Sequence, residues 1–426
     1  MATNADRLIV HLHGEPIAEL ARGRSRSAVC LNWNLGFTPG PVRLTEAFSV
    51  VPEIQPPEHA ASNWLGGYAP EGNQRAAMAE ARGVRPDDLF ALLREFGGSI
   101  AGAVTISPPE EPAEHRPRYV SVKGAMIGRR LRQAIDRHDL GAHDDSRSMI
   151  PGFQPKLLLA RIAGRWQEPC GRAHSTHILK PRLSSRPEAI PNEYYGYQLA
   201  RAMGMATYSA ELGRFGDQTA LVVERFDRRC QDGEVRLVHQ EDLAQALGLD
   251  WLDAAAKFQD RERPRRRDRP SARSVAELLA TIPDSPDLAA AWLDRLAFTA
   301  LIGDNDAHAK NISLLHEPGG TRLADAYDCV PNLHQPGRIA YDLALSVDGV
   351  FDQRHISLER LESEAVSWGV LASRSIRARL EATVTAFAAA VETVTPPRGA
   401  TPELRRRFVT AAERLLAGRQ IGDPES

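Results

Sequence analysis

The stretch Gly303-Asp304-Asn305-Asp306-Ala307-His308-Ala309-Lys310-Asn311 sets two carboxylates, an imidazole, an ammonium and two amides within nine residues. Ahead of it, Leu288, Trp292, Leu296 and Ala300 recur every four residues, a spacing that predicts a helix over 287–302 with one buried face. Polar residues after a helix often cap it, but capping accounts for one or two of them, not for this density. Calcium does not fit: with Asp304 as the first position of an EF-hand loop, the required Gly and Glu positions hold Ala309 and Leu315. Zinc does not fit either, because His308 has no His or Cys partner at ligand spacing.

Phosphoryl transfer does fit. Asp306 and Asn311 keep the D-x-x-x-x-N spacing of a protein-kinase catalytic loop, in which the Asp accepts the proton of the attacking hydroxyl and the Asn holds Mg²⁺. Farther on, Ala326-Tyr327-Asp328 follows a short predicted strand and offers a second acidic metal ligand. Lys180 ends a strand-like run, from which an ammonium reaches phosphate; the next predicted helix carries Glu193, the kind of residue that orients such a lysine. Glu224-Arg225-Phe226-Asp227-Arg228 follows the last predicted strand, and two readings stand equal there. In one, extended backbone meets an adenine edge while Phe226 covers its face; in the other, an Arg/Asp network surrounds a buried Phe226. Ser148-Met149-Ile150-Pro151-Gly152-Phe153-Gln154-Pro155-Lys156 opens the first strand of the same sheet. Gly152 permits close approach of backbone to an anion, although the segment matches no P-loop or G-x-G-x-x-G and also reads as a plain turn.

Around these motifs, 426 residues predict two or three domains. Residues 8–12 and 42–51 read as strands, and 76–82 and 86–96 as helices, with Asp87 and Asp88 suited to a first turn. The Pro- and Glu-rich segment 108–112 reads as a linker, placing a boundary near residue 115. Strands at 156–161, 176–180 and 219–224, with a helix over 193–203, predict a mixed sheet with one helix against it. Helices follow at 241–247, 274–281, 287–302, 358–368, 375–391 and 402–416. The expected organisation is a β-rich N-terminal subdomain (1–115), a kinase small lobe (116–232) and a helical large lobe (233–426), an α+β, two-lobed kinase-like plan. A formal net charge of −2 gives no global polycation, so contact with nucleic acid or membrane must be local. The Arg-rich, Pro-broken insert 261–270 and the segment with Arg374, Arg377 and Arg379 are the local candidates. Cys30, Cys170, Cys230 and Cys329 lie far apart without a C-x-x-C pair, as expected of reduced thiols in the cytoplasm. No basic n-region with a long apolar run begins the sequence, and no run is long enough to cross a bilayer.

The order of motifs resembles one family. Gly152-Phe153-Gln154-Pro155-Lys156, Asn192-Glu193, Val223-Glu224-Arg225-Phe226-Asp227-Arg228, His239-Gln240-Glu241-Asp242, Asp306-Ala307-His308-Ala309-Lys310-Asn311 and Ala326-Tyr327-Asp328 are similar to the HipA-family serine/threonine kinases, the toxins of bacterial HipBA toxin–antitoxin pairs. Trp64-Leu65, Pro70-Glu71-Gly72 and Asp88-Leu89-Phe90-Ala91-Leu92-Leu93 extend the likeness to the N-terminal subdomain. The resemblance implies Asp306 as catalytic base and Asn311 and Asp328 as Mg²⁺ ligands. It implies ATP held by Gly152, Phe153, Gln154, Lys156, Lys180, Glu224 and Phe226, with His308 and Lys310 as supports. It further implies a HipB-like helix-turn-helix antitoxin that binds operator DNA, and an aminoacyl-tRNA synthetase as the protein phosphorylated, which stalls translation and leads to dormancy. The family's autophosphorylated serine stands three residues before the loop glycine, where this chain has Met149; the neighbouring Ser148 is the candidate for that role. Two other functions share these motifs: a catalytically idle corepressor acting through its antitoxin, and a small-molecule kinase on the same fold.

Overall fold

The computed structural model describes residues 6–34, 36–111, 116–140, 145–283, 285, 287–335 and 340–422, so the expected boundary at residue 115 lies outside the described residues. Two compact units emerge: Met1–Arg182 with Glu211–Ala254 and Leu315–Gly320, and Leu183–Ala210 with Ala255–Leu314 and Thr321–Ser426.

The first unit begins with a four-stranded sheet in the order Val29–Trp33, Glu15–Arg22, Arg7–Leu12, Val104–Ser107. Its apolar face carries Leu8, Val10, Leu20 and Leu31, packed with Trp64 and Phe90 from the helices Glu58–Gly66 and Leu89–Phe96. Asp88 caps the latter by accepting a 2.9 Å bond from the Ala91 N–H. Residues 42–51 form no regular strand, contrary to their β-like composition. Their backbone bonds go to side chains far along the chain: the Leu44 carbonyl lies 2.7 Å from His239 Nε2, and the Glu46 N–H donates to the Glu241 carboxylate at 2.7 Å.

The second sheet of this unit has six strands, ordered Arg118–Ser121, Arg165–Cys170, Leu157–Ile162, His177–Pro181, Gln218–Glu224, Ala210–Phe215. The strand His177–Pro181 pairs antiparallel with both neighbours, so this part of the sheet is antiparallel, not mixed as expected. The helix packed on it is Gly124–Arg137, whose Ile127 and Leu131 bury against Leu157, Leu159, Leu179 and Val222. Each such apolar side chain contributes roughly 1.5–3 kcal/mol. The helix expected there, observed as Ala189–Ala202, belongs to the second unit. Four hairpins turn on two residues that both have positive φ: His13-Gly14, Ala163-Gly164, Asp232-Gly233 and Asp348-Gly349. The twist of such turns matches that of the paired strands, and glycine takes the second position without strain.

The second unit is mainly helical: Ala272–Thr281, Leu288–Ile302, Leu358–Trp368, Ser373–Thr393 and Leu404–Leu416. The Leu288–Ile302 helix is buried on almost every side, with Phe298 edge-on to Phe387 and Phe387 tilted against Phe408. Tyr195, from Ala189–Ala202, stacks on Phe408 at 5.8 Å. The helix expected over 241–247 is a strand, His239–Asp242, followed by the single turn Leu243–Ala246, which Asp242 and Gln245 close as a capping box. All four cysteines are free, and among the described residues no helix is long and apolar enough to cross a membrane.

Candidate active site

The Leu288–Ile302 helix ends at Gly303, whose φ of 67° turns the chain out of the helix. A side chain at Gly303 would meet His334, Gln353 and Leu333 at 3.0–3.1 Å, so the turn is fixed by packing as well as by φ. The next residues are cross-linked. The Asp306 N–H donates to Asp304 Oδ1 at 2.9 Å, the His308 N–H donates to the Asp306 carbonyl at 2.7 Å, and Asn311 Nδ2 donates to that carbonyl at 2.7 Å. The Ala309 N–H donates to the Lys257 carbonyl at 3.1 Å, and Ala309–Asn311 closes as a short 3-10 turn. Asp306 itself is held by its backbone while its carboxylate stays 54 % exposed, the state a base needs to meet a substrate hydroxyl. His308 is buried edge-on to Phe258, its Nε2 3.7 Å from Asp306 Oδ1. Asp304 is enclosed; burial pushes its carboxyl well above the usual carboxylate range, and the charges of Asp306 and Asp328 push the same way.

Asp328 adopts φ 56°, a left-handed conformation that Asp tolerates better than most residues and that clusters at functional sites. Its surroundings maintain it. The Tyr327 hydroxyl donates to the Lys310 carbonyl at 3.1 Å and lies 2.7 Å from the Ser313 hydroxyl, tying the residue before Asp328 to the residue before Asn311. The Ala326 N–H donates to the Met205 carbonyl at 2.7 Å, and Thr207 Oγ1 donates to Asp325 at 2.6 Å. Gly196 lets its helix lie directly on this segment, since a Cβ there would stand 2.0 Å from the Cys329 carbonyl oxygen. Gly196, Thr207 and Asp325 are supports absent from the sequence-based expectations; of these only Gly196, a glycine inside a predicted helix, carries a local signal. Asn311 and Asp328 offer the oxygen donors that suit Mg²⁺.

The remaining candidates lie in the first unit, as does Lys180, whereas Glu193 lies in the second. Lys180 and Glu224 share an antiparallel pair of strands, with Lys180 opposite Leu221 and Glu224 opposite His177. Beyond Glu224 the side chains alternate: Glu224 and Phe226 are partly exposed, while Arg225, Asp227 and Arg228 are buried. The Arg/Asp network is thus present but buried, with Phe226 outside it and partly exposed, the reverse of a surface network around a buried Phe226. Asp227 accepts from Arg225 Nε at 2.9 Å, from Arg228 at 2.8 Å and from the Gly102 N–H at 2.8 Å; the two guanidiniums hold its carboxyl far below the usual range against the cost of burial. Nearby, burial and these arginines push His174 down to about 3, so it stays neutral.

In the loop before the strand Leu157–Ile162, Gly152 has φ 119°, open only to glycine, and Lys156 Nζ donates to the Pro151 carbonyl at 2.7 Å. A Cβ on Gly152 would meet that ammonium at 2.3 Å. Phe153, 51 % exposed, and Gln154 project outward. Ser148 is buried, and its Oγ has no hydrogen-bond partner among the described residues. The Met149 N–H donates to the Ser99 carbonyl at 3.1 Å, holding this part of the loop against the N-terminal subdomain.

A β-rich unit bearing a strand lysine, joined to a helical unit whose buried helix delivers an Asp-x-x-x-x-Asn loop, defines the protein-kinase-like class. Residues 148–393 match the model of the HipA-like C-terminal domain and residues 8–107 that of the HipA N-terminal domain; the chain belongs to the HipA family of kinase toxins. It is 34% identical over 285 residues to the putative kinase Y4mE of Sinorhizobium fredii, a match spanning 64% of each protein. It is 29% identical over 316 residues to the serine/threonine-protein kinase toxin HipA of Shewanella oneidensis, spanning 69% of this chain and 68% of that protein. The Shewanella oneidensis HipA solved with HipB and its operator DNA superposes with a TM-score of 0.76 at 25% identity, covering 96% of both chains.

Proposed function

We propose that this chain is an ATP- and Mg²⁺-dependent serine/threonine protein kinase that acts as a toxin in the cytoplasm. A single observation carries the reading: an exposed Asp306 carboxylate stands on a loop pinned by its own backbone to Asp304 and Asn311. Asp306 accepts the proton of the attacking hydroxyl, a role worth about 10²–10⁴-fold in rate. Asn311 and Asp328 hold Mg²⁺, which when bound neutralises charge on the phosphates. Lys180, Lys156 and the Gly152-Phe153-Gln154 turn bind the phosphate chain; Glu224 and Phe226 frame the adenine; His308 and Lys310 support the loop. The substrate is a serine of an aminoacyl-tRNA synthetase, and Ser148 is the residue autophosphorylated. Because Ser148 is buried, its modification requires the loop to leave its seat, and the added phosphate charge prevents its return.

Incubation with labelled ATP and purified synthetases tests this, with the phosphopeptides mapped. Transfer to a synthetase serine is expected; absence of any transfer, with no binding of ATP·Mg²⁺ by calorimetry, favours the idle corepressor.

The neighbouring structure also supports a HipB-like helix-turn-helix antitoxin as partner, with operator DNA reached mainly through it. For a direct DNA contact the insert 261–270 is the better candidate. Asp260 Oδ1 accepts from the N–H groups of Glu262 and Arg263 at 2.9 Å, so the insert is folded, and Arg263, Arg265 and Arg267 are exposed. In the competing helix Ser373–Thr393, Arg377 is paired with Glu381 and Arg379 with Asp294. Replacing Arg263, Arg265 and Arg267 by Ser is expected to flatten the salt dependence of operator binding by the complex, by up to about 0.9 per lost phosphate contact. An unchanged slope would leave the insert as a solvated loop.

A further inference from the structure

The geometry points to Asp304 as the positioning residue that sets the base-bearing and metal-binding segments in register, an inference that rests on the reading of Asp306, Asn311 and Asp328 given above. Four observations converge on it. Asp304 is 4 % exposed, and its carboxylate reaches no cation in any described ion pair; such burial is costly for a residue that merely ends a helix. A Ser or Asn would cap the same turn at lower cost. Its Oδ1 accepts the Asp306 N–H at 2.9 Å, and the backbone of Val330, two residues beyond Asp328, hydrogen-bonds to the same carboxylate. Its own N–H donates to the Thr299 carbonyl at 3.1 Å, which fixes the side chain relative to the buried helix.

One carboxylate is therefore shared by two segments that sequence separates by more than twenty residues. The peptide units flanking Asp306 are gripped from both sides, the N–H by Asp304 and the carbonyl by Asn311 Nδ2 at 2.7 Å. The rotation of backbone that would swing the base is thereby removed. Asp304 touches neither nucleotide nor hydroxyl in this scheme; it acts through Asp306 and through the turn that follows Asp328.

Two substitutions separate positioning from stability. Asp304→Ala removes both acceptors, whereas Asp304→Asn keeps one oxygen. With the folded fraction measured by near-UV circular dichroism, Asp304→Ala is expected to lower kcat about 10- to 100-fold while the KM for ATP stays within about twofold. The Mg²⁺ concentration for half-maximal rate should rise, and Asp304→Asn should recover part of the loss. Should Asp304→Ala fail to fold, Asp304→Asn alone decides: an intermediate kcat with a raised Mg²⁺ requirement supports the assignment, and wild-type values overturn it. A kcat per folded molecule equal to wild type in Asp304→Ala also overturns it. Asp306→Asn runs in parallel. If that variant still turns over, the reading of the base fails; if it is inactive while Asp304→Ala matches wild type, only the role of Asp304 fails.

Discussion

The loop of residues 148–156 in the first unit and the loop of residues 303–311 in the second, both proposed above to serve phosphoryl transfer, carry polar groups on opposite kinds of support. The second loop is anchored at nearly every residue: Asp304, Asp306, His308, Ala309 and Asn311 each use a backbone or amide group in a described bond. In the first, Gly152 takes a φ open only to glycine, Phe153 and Gln154 face outward, and the Lys156 ammonium turns back onto the Pro151 carbonyl. The contrast follows the chemistry. A base must stand within about 3 Å of one proton, so its loop must be rigid. A segment that covers phosphates must admit and release a ligand, so it can be held by few bonds. Where the first unit does become rigid is beyond Glu224, in the buried Arg225–Asp227–Arg228 network.

The largest expected effect breaks that rigid part. Asp227→Ala leaves two buried guanidiniums without their carboxylate and should destabilise the protein by about 3–5 kcal/mol, read as a fall in the denaturation midpoint. A loss under about 1 kcal/mol would mean that the network is not what stiffens the segment beyond Glu224. A smaller effect is expected in the loop of residues 148–156. Gly152→Ala should strain the φ of 119° by about 1–3 kcal/mol and displace Lys156, raising the KM for ATP several-fold with little change in kcat. If kcat fell and KM did not, the two loops would not differ in the way described.

The loop of residues 303–311 was legible in the sequence because its polar residues are local: Asp306 and Asn311 lie five residues apart, and the spacing Leu288, Trp292, Leu296, Ala300 announces the helix that delivers it. The supports were not, because they come from afar. Thr207 and Met205 brace the segment leading to Asp328, and Glu241 accepts from the Glu46 N–H and the Thr45 hydroxyl, holding the strand-like residues 42–51 as irregular chain. The sheet was misread as mixed for a different reason. Ala163-Gly164 is a two-residue hairpin signal that adds the antiparallel strand Arg165–Cys170 to it; Asp232-Gly233 is another, and joins Arg228–Gln231 to Glu234–Leu237 in a separate two-stranded sheet. Residues 224–228 were legible only in part, because burial there alternates: Arg225, Asp227 and Arg228 form a buried charge network while Glu224 and Phe226 stay partly exposed.

In the proposed function Asp306 supplies the base, while its backbone N–H and carbonyl hold the loop. Single-turnover phosphate transfer by Asp306→Asn, measured beside its melting temperature and its affinity for ATP·Mg²⁺, tests it most directly. The account predicts transfer reduced by about 10²-fold or more, with nucleotide affinity and melting temperature close to wild type. Transfer at the wild-type rate, or a loss of transfer matched by loss of the fold, would contradict it.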